Sequence, residues 1–394
     1  MAREENNASV AIAAKRYPAS SLWPNWQQSL LLTTAMGDDI TAAEAFCRWR
    51  ESVDLEADFD PGSYRLLPLV YHHMHRLGIQ DPLMGRLKGV YRMSWCASQV
   101  LFDRARPLVS NLEQRGIATL LLNGVALALS YYRTPAARPV VDIDIAISPR
   151  QVSRAMAAIE AFGWHCNANP SADHLKYRHS LQFTGRDGLQ LDLQWHFLYE
   201  ACNDEADAFF WSSAIPLDFG GVPTLQLDPT AMLLHVILHG IRGNGEPPMR
   251  WISDASAILK HEGGQFDWER MIAFAQSQRL TSRLGLGLDY LAERHNAPVP
   301  GEVLTRLRGI RASLLERIEN TVVCHARRRF DANPFAKQWM IVIDFYRCTT
   351  SAGPIQFVLG LPHYIRYRWG LERRRDLIAA IPRGLMRRLG KIRS

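Results

Sequence analysis

The sequence predicts an α+β fold, a small mixed-sheet core flanked by N-terminal and C-terminal helical regions. Three observations carry this. Helical patterning runs from Trp23 to about Ile117. Short apolar and alternating runs then follow Gly116. Helical spacing returns after "VPTLQLDPT". The same shifts divide the chain into 1–20, a mobile arm; 21–115, helical; 116–226, the α/β core; 227–300, helical; and 301–394, helical and basic.

In the first helical region, "TAAEAFCRWRESV" opens on Thr41 with Glu44 three residues later, the spacing of a capping box. "DPLMGRLKGVYRMSWCASQVLFDRARPLVSNLEQRG" is a long amphipathic helix ending at Gly116, with a break expected near Pro107. "YHHMHRLG" reads as a surface helix. In the core, "IATLLLN" suits a buried strand, "GVALALSYYR" a helix, "RPVVDIDIAI" a strand and "PRQVSRAMAAIEAFG" a helix. "RHSLQFTG" and "GLQLDLQWHFL" are strands joined at Asp187-Gly188, a hairpin signal. Further on, Asp228 is placed to cap the helix "DPTAMLLHVILHGIRG", with Pro229 at its first position. "PPMRWISDASAILKH", "DWERMIAFAQSQR" and Leu284 to His295 continue the helical pattern.

The strand "RPVVDIDIAI" poses the functional question. Alternate side chains of a strand share a face, so Asp142, Asp144 and Ala146 line one side, and Val141, Ile143, Ile145 and Ile147 the other. In "GLQLDLQWHFL", Gln190, Asp192, Gln194 and His196 likewise share a polar face. Three carboxylates on neighbouring strands repel one another unless cations neutralise them. Mg²⁺ takes one or two carboxylates together with substrate phosphates, and paired metals can serve both the attacking and the leaving oxygen of a phosphoryl transfer. Gly124, between a strand and a helix, lies where backbone N–H groups can receive phosphate.

The order strand–Gly–helix, Asp-x-Asp strand, then a third Asp on a later strand resembles the polymerase-β-like nucleotidyltransferase superfamily. Within it, "LLNGVALAL…RPVVDIDIAI…LQLDLQWHF…LLHVILHG…RWISDASAIL" looks like the bacterial family known as uncharacterised nucleotidyltransferases, the minimal-type branch, from about Ile117 to Lys260. The resemblance implies that Asp142, Asp144 and Asp192 bind Mg²⁺ (or Mn²⁺) beneath an NTP, with Asp192 helping to deprotonate an acceptor hydroxyl. It further implies that Gly124 cradles phosphate, and Arg138 is placed to neutralise it. Asn123, beside Gly124, and His196, on the face of Asp192, join the nucleotide-binding set. Two positions depart from the pattern: Asn123 stands where relatives commonly carry Lys, and Val125 follows Gly124 where the fuller turn has Ser or Gly. The activity implied is transfer of NMP from an NTP to a hydroxyl on a protein, peptide, RNA, sugar or small molecule. Competing readings are a nucleotide-sugar glycosyltransferase that uses Asp-x-Asp, and a nucleotide-binding module without catalysis.

His235 and His239 stand at i,i+4 but lack the Glu of His-Glu-x-x-His, so they read as core-edge or substrate-contacting residues. Arg250 and Asp254 read as an i,i+4 ion pair. The six scattered cysteines, with no CxxC pair, suit reduced thiols in the cytoplasm. The first residues lack a signal-peptide core, and no run approaches the ~20 apolar residues of a membrane span. The net charge is +7, yet 361–394 alone holds ten Lys/Arg and two Asp/Glu, leaving −1 for the rest. That tail, "YIRYRWGLERRRDLIAAIPRGLMRRLGKIRS", fits a packed or solvated helix, a nucleic-acid contact, or a peripheral segment at an anionic membrane surface.

Overall fold

The computed structural model describes residues 17, 22–54, 59–168, 170, 172–241, 249–319, 334–349 and 354–371. The basic residues beyond 371, and all of the expected arm except Tyr17, lie outside them. Tyr17 is buried, packed edge-on against Trp23 and Tyr290.

Among the described residues four helices come first: α1 (Trp26–Met36), α2 (Asp39–Ser52), α3 (Pro61–Arg76) and α4 (Met84–Gln114). Asp38, not Thr41, caps α2, accepting from the N–H groups of Ile40 and Thr41, so the helix starts two residues before Thr41. Helix α4 runs unbroken through Pro107. Its buried face continues across that point through Ala105, Leu108, Val109 and Leu112, and this packing outweighs the lost hydrogen bond. The histidine run on α3 is only partly at the surface: His73 is buried, with Nδ1 3.0 Å from the Thr34 carbonyl.

The core is a seven-stranded mixed sheet in the order β3-β4-β5-β2-β1-β7-β6. Its strands are β1 (Leu120–Leu122), β2 (Asp142–Ala146), β3 (His165–Cys166), β4 (Ser180–Thr184), β5 (Gln190–Gln194), β6 (Ala214–Asp218) and β7 (Pro223–Leu227). The β2–β5 and β1–β7 pairs are parallel, the others antiparallel. Ile143, Ile145 and Ile147 are wholly buried, as the alternation requires, whereas Val141 precedes the strand and is exposed. Interspersed are α5 (Asn123–Ser130), α6 (Val152–Ala161), α7 (Ala172–Tyr177) and α8 (Asp204–Ser212).

Helices α9 (Pro229–Gly240), α10 (Met249–His261), α11 (Trp268–Ser277), α12 (Thr281–His295) and α13 (Gly301–Gly309) follow. Asp228 caps α9 through the Ala231 N–H with Pro229 at the first position, as expected. Every residue of α9 from Thr230 to Leu238 is buried, the mark of a central helix. Helix α10 packs against α9 and also against α1 and α3. One apolar core therefore joins all three parts, from Tyr17 through the sheet to Leu307. Two more helices, α14 (Pro334–Cys348) and α15 (Pro354–Arg368), share a smaller cluster of Tyr177, Phe345 and Tyr364. No helix among the described residues is long and apolar enough to cross a membrane.

Candidate active site

The parallel pairing of β2 with β5 sets Asp144 directly beside Asp192, and Asp142 beside Gln190. With β1 on the other flank, Leu122 pairs Asp144 and hands the chain to Asn123 at the start of α5. Three distant stretches of sequence thus meet at one point. Asp142, Asp144 and Asp192 line a cavity of about 210 Å³. Its remaining walls come from α3 (Arg65), α5 (Asn123, Gly124), α9 (His239) and α10 (Arg250, Trp251, Asp254).

Crowding shows in the carboxylates. Burial, reinforced by the charge of Asp142, pushes Asp144 up to about 7 from its ordinary 3.8. Burial and Asp142 likewise push Asp192 up to about 6. Two amides oppose the shift at Asp144: Gln194 Nε2 donates to its Oδ1 at 2.7 Å, and the Asn123 side chain donates as well. Asn123 therefore serves the carboxylate. Its backbone is left-handed, with φ of 47°, which Asn tolerates better than most residues. Gly124 does not have a positive φ. It is needed for closeness, since a Cβ there would lie 3.0 Å from Val140 Cγ1 and 3.1 Å from Arg138 Nη1.

Arg138 lines the cavity, but its charge is already engaged. Nε and Nη2 hold both oxygens of Asp254 at 3.1 and 2.7 Å, and Tyr132 also donates to Asp254 at 2.7 Å. Arg138 and Asp254 are both buried, so this is a closed ion pair, and Asp254 pairs with Arg138 where an i,i+4 bridge to Arg250 was expected. Arg250 is thereby left facing the cavity among other cations. Burial, with the charges of Arg138 and Arg65 nearby, lowers it to about 10.

His196 does not join the site. Strand β5 ends at Gln194, and the backbone N–H groups of Trp195 and His196 turn to the His179 carbonyl, so the alternation stops there. His196 Nδ1 lies 2.6 Å from Asp207 Oδ2, and the ring lines a separate cavity with Cys202 and Tyr346. His235 is fully buried, with Nε2 3.1 Å from the Phe197 carbonyl, while His239 reaches the acidic cavity. Local spacing does not single out Arg65; it places Gln194 on the face of Asp192 and allows His239 a substrate contact, but it gives Arg250 to an ion pair and not to the cavity. Among the described residues, no group of three or more His, Cys, Asp or Glu side chains is arranged to hold a metal ion.

Fold and site define a mixed-sheet protein with an acidic cluster facing arginines. The sequence pattern of a family described as "Uncharacterised nucleotidyltransferase" matches residues 63–296, more than half of the chain, and the chain belongs to that family. The match starts in α3, so it takes in Arg65 as well as the sheet. A solved structure, an antigenic nucleotidyltransferase-like protein from Paracoccidioides brasiliensis, is similar at 13% identity with a TM-score of 0.32. That likeness covers 52% of this chain and 97% of that one, and nothing further rests on it. No curated protein matches the chain in sequence.

Proposed function

We propose that the protein transfers NMP from an NTP to a hydroxyl acceptor at the acidic cavity, with release of pyrophosphate and with Mg²⁺ or Mn²⁺ as cofactor. Family membership supports nucleotidyl transfer in general. The observation that carries the finer reading is the pairing of Asp144 with Asp192 two residues beyond Asp142, opposite Arg250. Carboxylates so placed are costly to ionise alone. The oxygen-only donor set suits a hard cation that shares its coordination with substrate phosphates, which a self-sufficient protein cage would not require. When bound, such a cation neutralises phosphate charge and activates an oxygen nucleophile.

The chain's own residues do the rest. Asp142 and Asp144 would hold the cation. Asp192, raised to about 6, is poised near neutrality to take the acceptor's proton. Arg250 and Arg65 would take the triphosphate charge; Arg138, to which the sequence pattern points for this role, braces the wall through Asp254. Asn123 and Gln194 orient Asp144. In-line transfer asks mainly for such placement and neutralisation.

The test is incubation of the full chain with each labelled NTP, Mg²⁺ or Mn²⁺, and candidate acceptors from cell extract. Labelled product and pyrophosphate that disappear in Asp144→Asn are expected. Nucleotide binding without any transfer would favour the non-catalytic module, and sugar release from a nucleotide-sugar would favour the glycosyltransferase.

A further inference from the structure

A second cavity, of about 480 Å³, lies beside the first and shares none of its lining residues. Helix α10 forms a wall of both. Arg250, Trp251 and Asp254 face the acidic cavity, whereas Ser256 and Lys260 line the second with α3, Tyr132 and Arg133. The volume falls within the range that holds small ligands, roughly 300–1,000 Å³.

Its chemistry is one-sided. Arg76, Arg133 and Lys260 line it together with three histidines, and among the described residues no carboxylate lines it, although Asp39 and Glu262 bond to Arg76, His73 and His261 from outside. Two of these cations are partly engaged, Arg76 with Asp39 and Lys260 with the Met36 carbonyl. Arg133 is exposed and has no ion-pair or hydrogen-bond partner among the described residues. Half-buried His72 feels the positive field, its basicity lowered by burial and then by Arg133. A separate observation points the same way. Ser256 is 2% exposed, and its Oγ has no hydrogen-bond partner among the described residues. An unsatisfied buried hydroxyl is costly unless something supplies the missing partner.

We propose that this second cavity binds a small phosphorylated molecule, its phosphate held by Arg133, Lys260 and the Ser256 hydroxyl. A doubly charged tetrahedral group offers enough acceptor oxygens for a guanidinium, an ammonium and a hydroxyl together. The proposal does not rest on nucleotidyl transfer at the other cavity and stands or falls separately.

The test is calorimetric titration of the full chain with inorganic phosphate and phenyl phosphate, with citrate as a carboxylate control. In metal-free buffer the carboxylates of the first cavity repel an anion, so wild type and Arg250→Ala should bind phosphate equally there. Arg133→Ala combined with Lys260→Ala should weaken binding by about tenfold or more, the effect of losing a charge-assisted hydrogen bond. Both side chains are exposed, so the fold should persist. Should the double variant not fold, Ser256→Ala gives an independent readout: the ligand-free chain melts higher while phosphate binds more weakly. The proposal is overturned by absence of phosphate binding in the wild type. It is equally overturned by binding lost in Arg250→Ala alone, by preference for citrate, or by Ser256→Ala leaving phosphate affinity unchanged.

Discussion

Gln194 reaches diagonally across the β2–β5 pair to donate to Asp144, although its own partner in the sheet is Ala146. The neutral amide thus satisfies a buried carboxylate without cancelling its charge. The carboxylate remains available to a cation. Gln194→Leu should remove that support, raise Asp144 further and lower transfer by about one to two orders of magnitude, with binding of NTP less affected. Carboxyl-carbon NMR titration reads the first effect and steady-state kinetics the second; an Asp144 titration identical to wild type would discard the role.

The acidic cluster makes the metal-free protein pH-sensitive. Asp144 and Asp192 titrate near 7 and 6 when folded, against an ordinary 3.8. Between about pH 4 and pH 7 the folded chain holds protons that the unfolded chain has released. Stability from this source is complete at low pH and is lost as pH rises through that window. Melting curves of wild type and Asp144→Asn should diverge as pH rises, the variant becoming the more stable of the two, and Mg²⁺ with NTP should close the gap. Curves that stay parallel from pH 4 to pH 8 without metal would contradict the crowding.

The two arginines of the cavity should separate cleanly. Arg138→Ala leaves Asp254 buried without its partner, so a loss of about 3–5 kcal/mol is expected, with activity falling only because the fold fails. Arg250→Ala should change the melting temperature little and raise KM for NTP by about tenfold or more. Equal destabilisation by both variants would make Arg250 structural too.

At Asn123, backbone and side chain can be told apart. Asn123→Gly keeps the left-handed backbone and removes only the amide that donates to Asp144; Asn123→Ala removes both. The alanine variant should therefore melt lower than the glycine variant by about 1 kcal/mol equivalent, while Asp144 shifts upward equally in the two. Reversed order in the melts would show that the φ of 47° is not enforced.

What could be read from sequence was whatever depends on neighbours along the chain. Alternation placed Asp142, Asp144 and Asp192, the Asp-Gly pair marked the β4–β5 turn, and Asp228-Pro229 marked the start of α9. Arg65 and Arg250 were not legible, because they meet only when α3 and α10 pack together, far apart in sequence. The exchange of Asp254 from Arg250 to Arg138 has the same origin: helical spacing offers the first pair, and burial selects the second. The β6–β7 hairpin does carry a sequence signal, Gly220-Gly221, both with positive φ, between two short strands. His196 failed for a local reason. Its alternation with Asp192 continued in the sequence after the strand itself had ended.

The packing of α9 against α10 supplies the last prediction. The Trp251 side chain lies against the Gly240 backbone, so a Cβ at residue 240 would fall 2.1 Å from Trp251 Cγ. That contact involves a bulky ring buried in the core, so the neighbour cannot swing aside into solvent. Gly240→Ala should force the two helices apart and cost about 1–3 kcal/mol, the range for overpacking a core. The displacement would fall on both cavity-lining neighbours, His239 and Arg250, which flank the contact on the two helices. Weaker NTP binding should therefore accompany the lower melting temperature. Trp251→Phe in the same background, by relieving the crowding, should recover part of both. Full stability in Gly240→Ala would mean that α10 does not approach α9 as closely as the ring contact requires, and the placement of Arg250 over the carboxylates would lose its support.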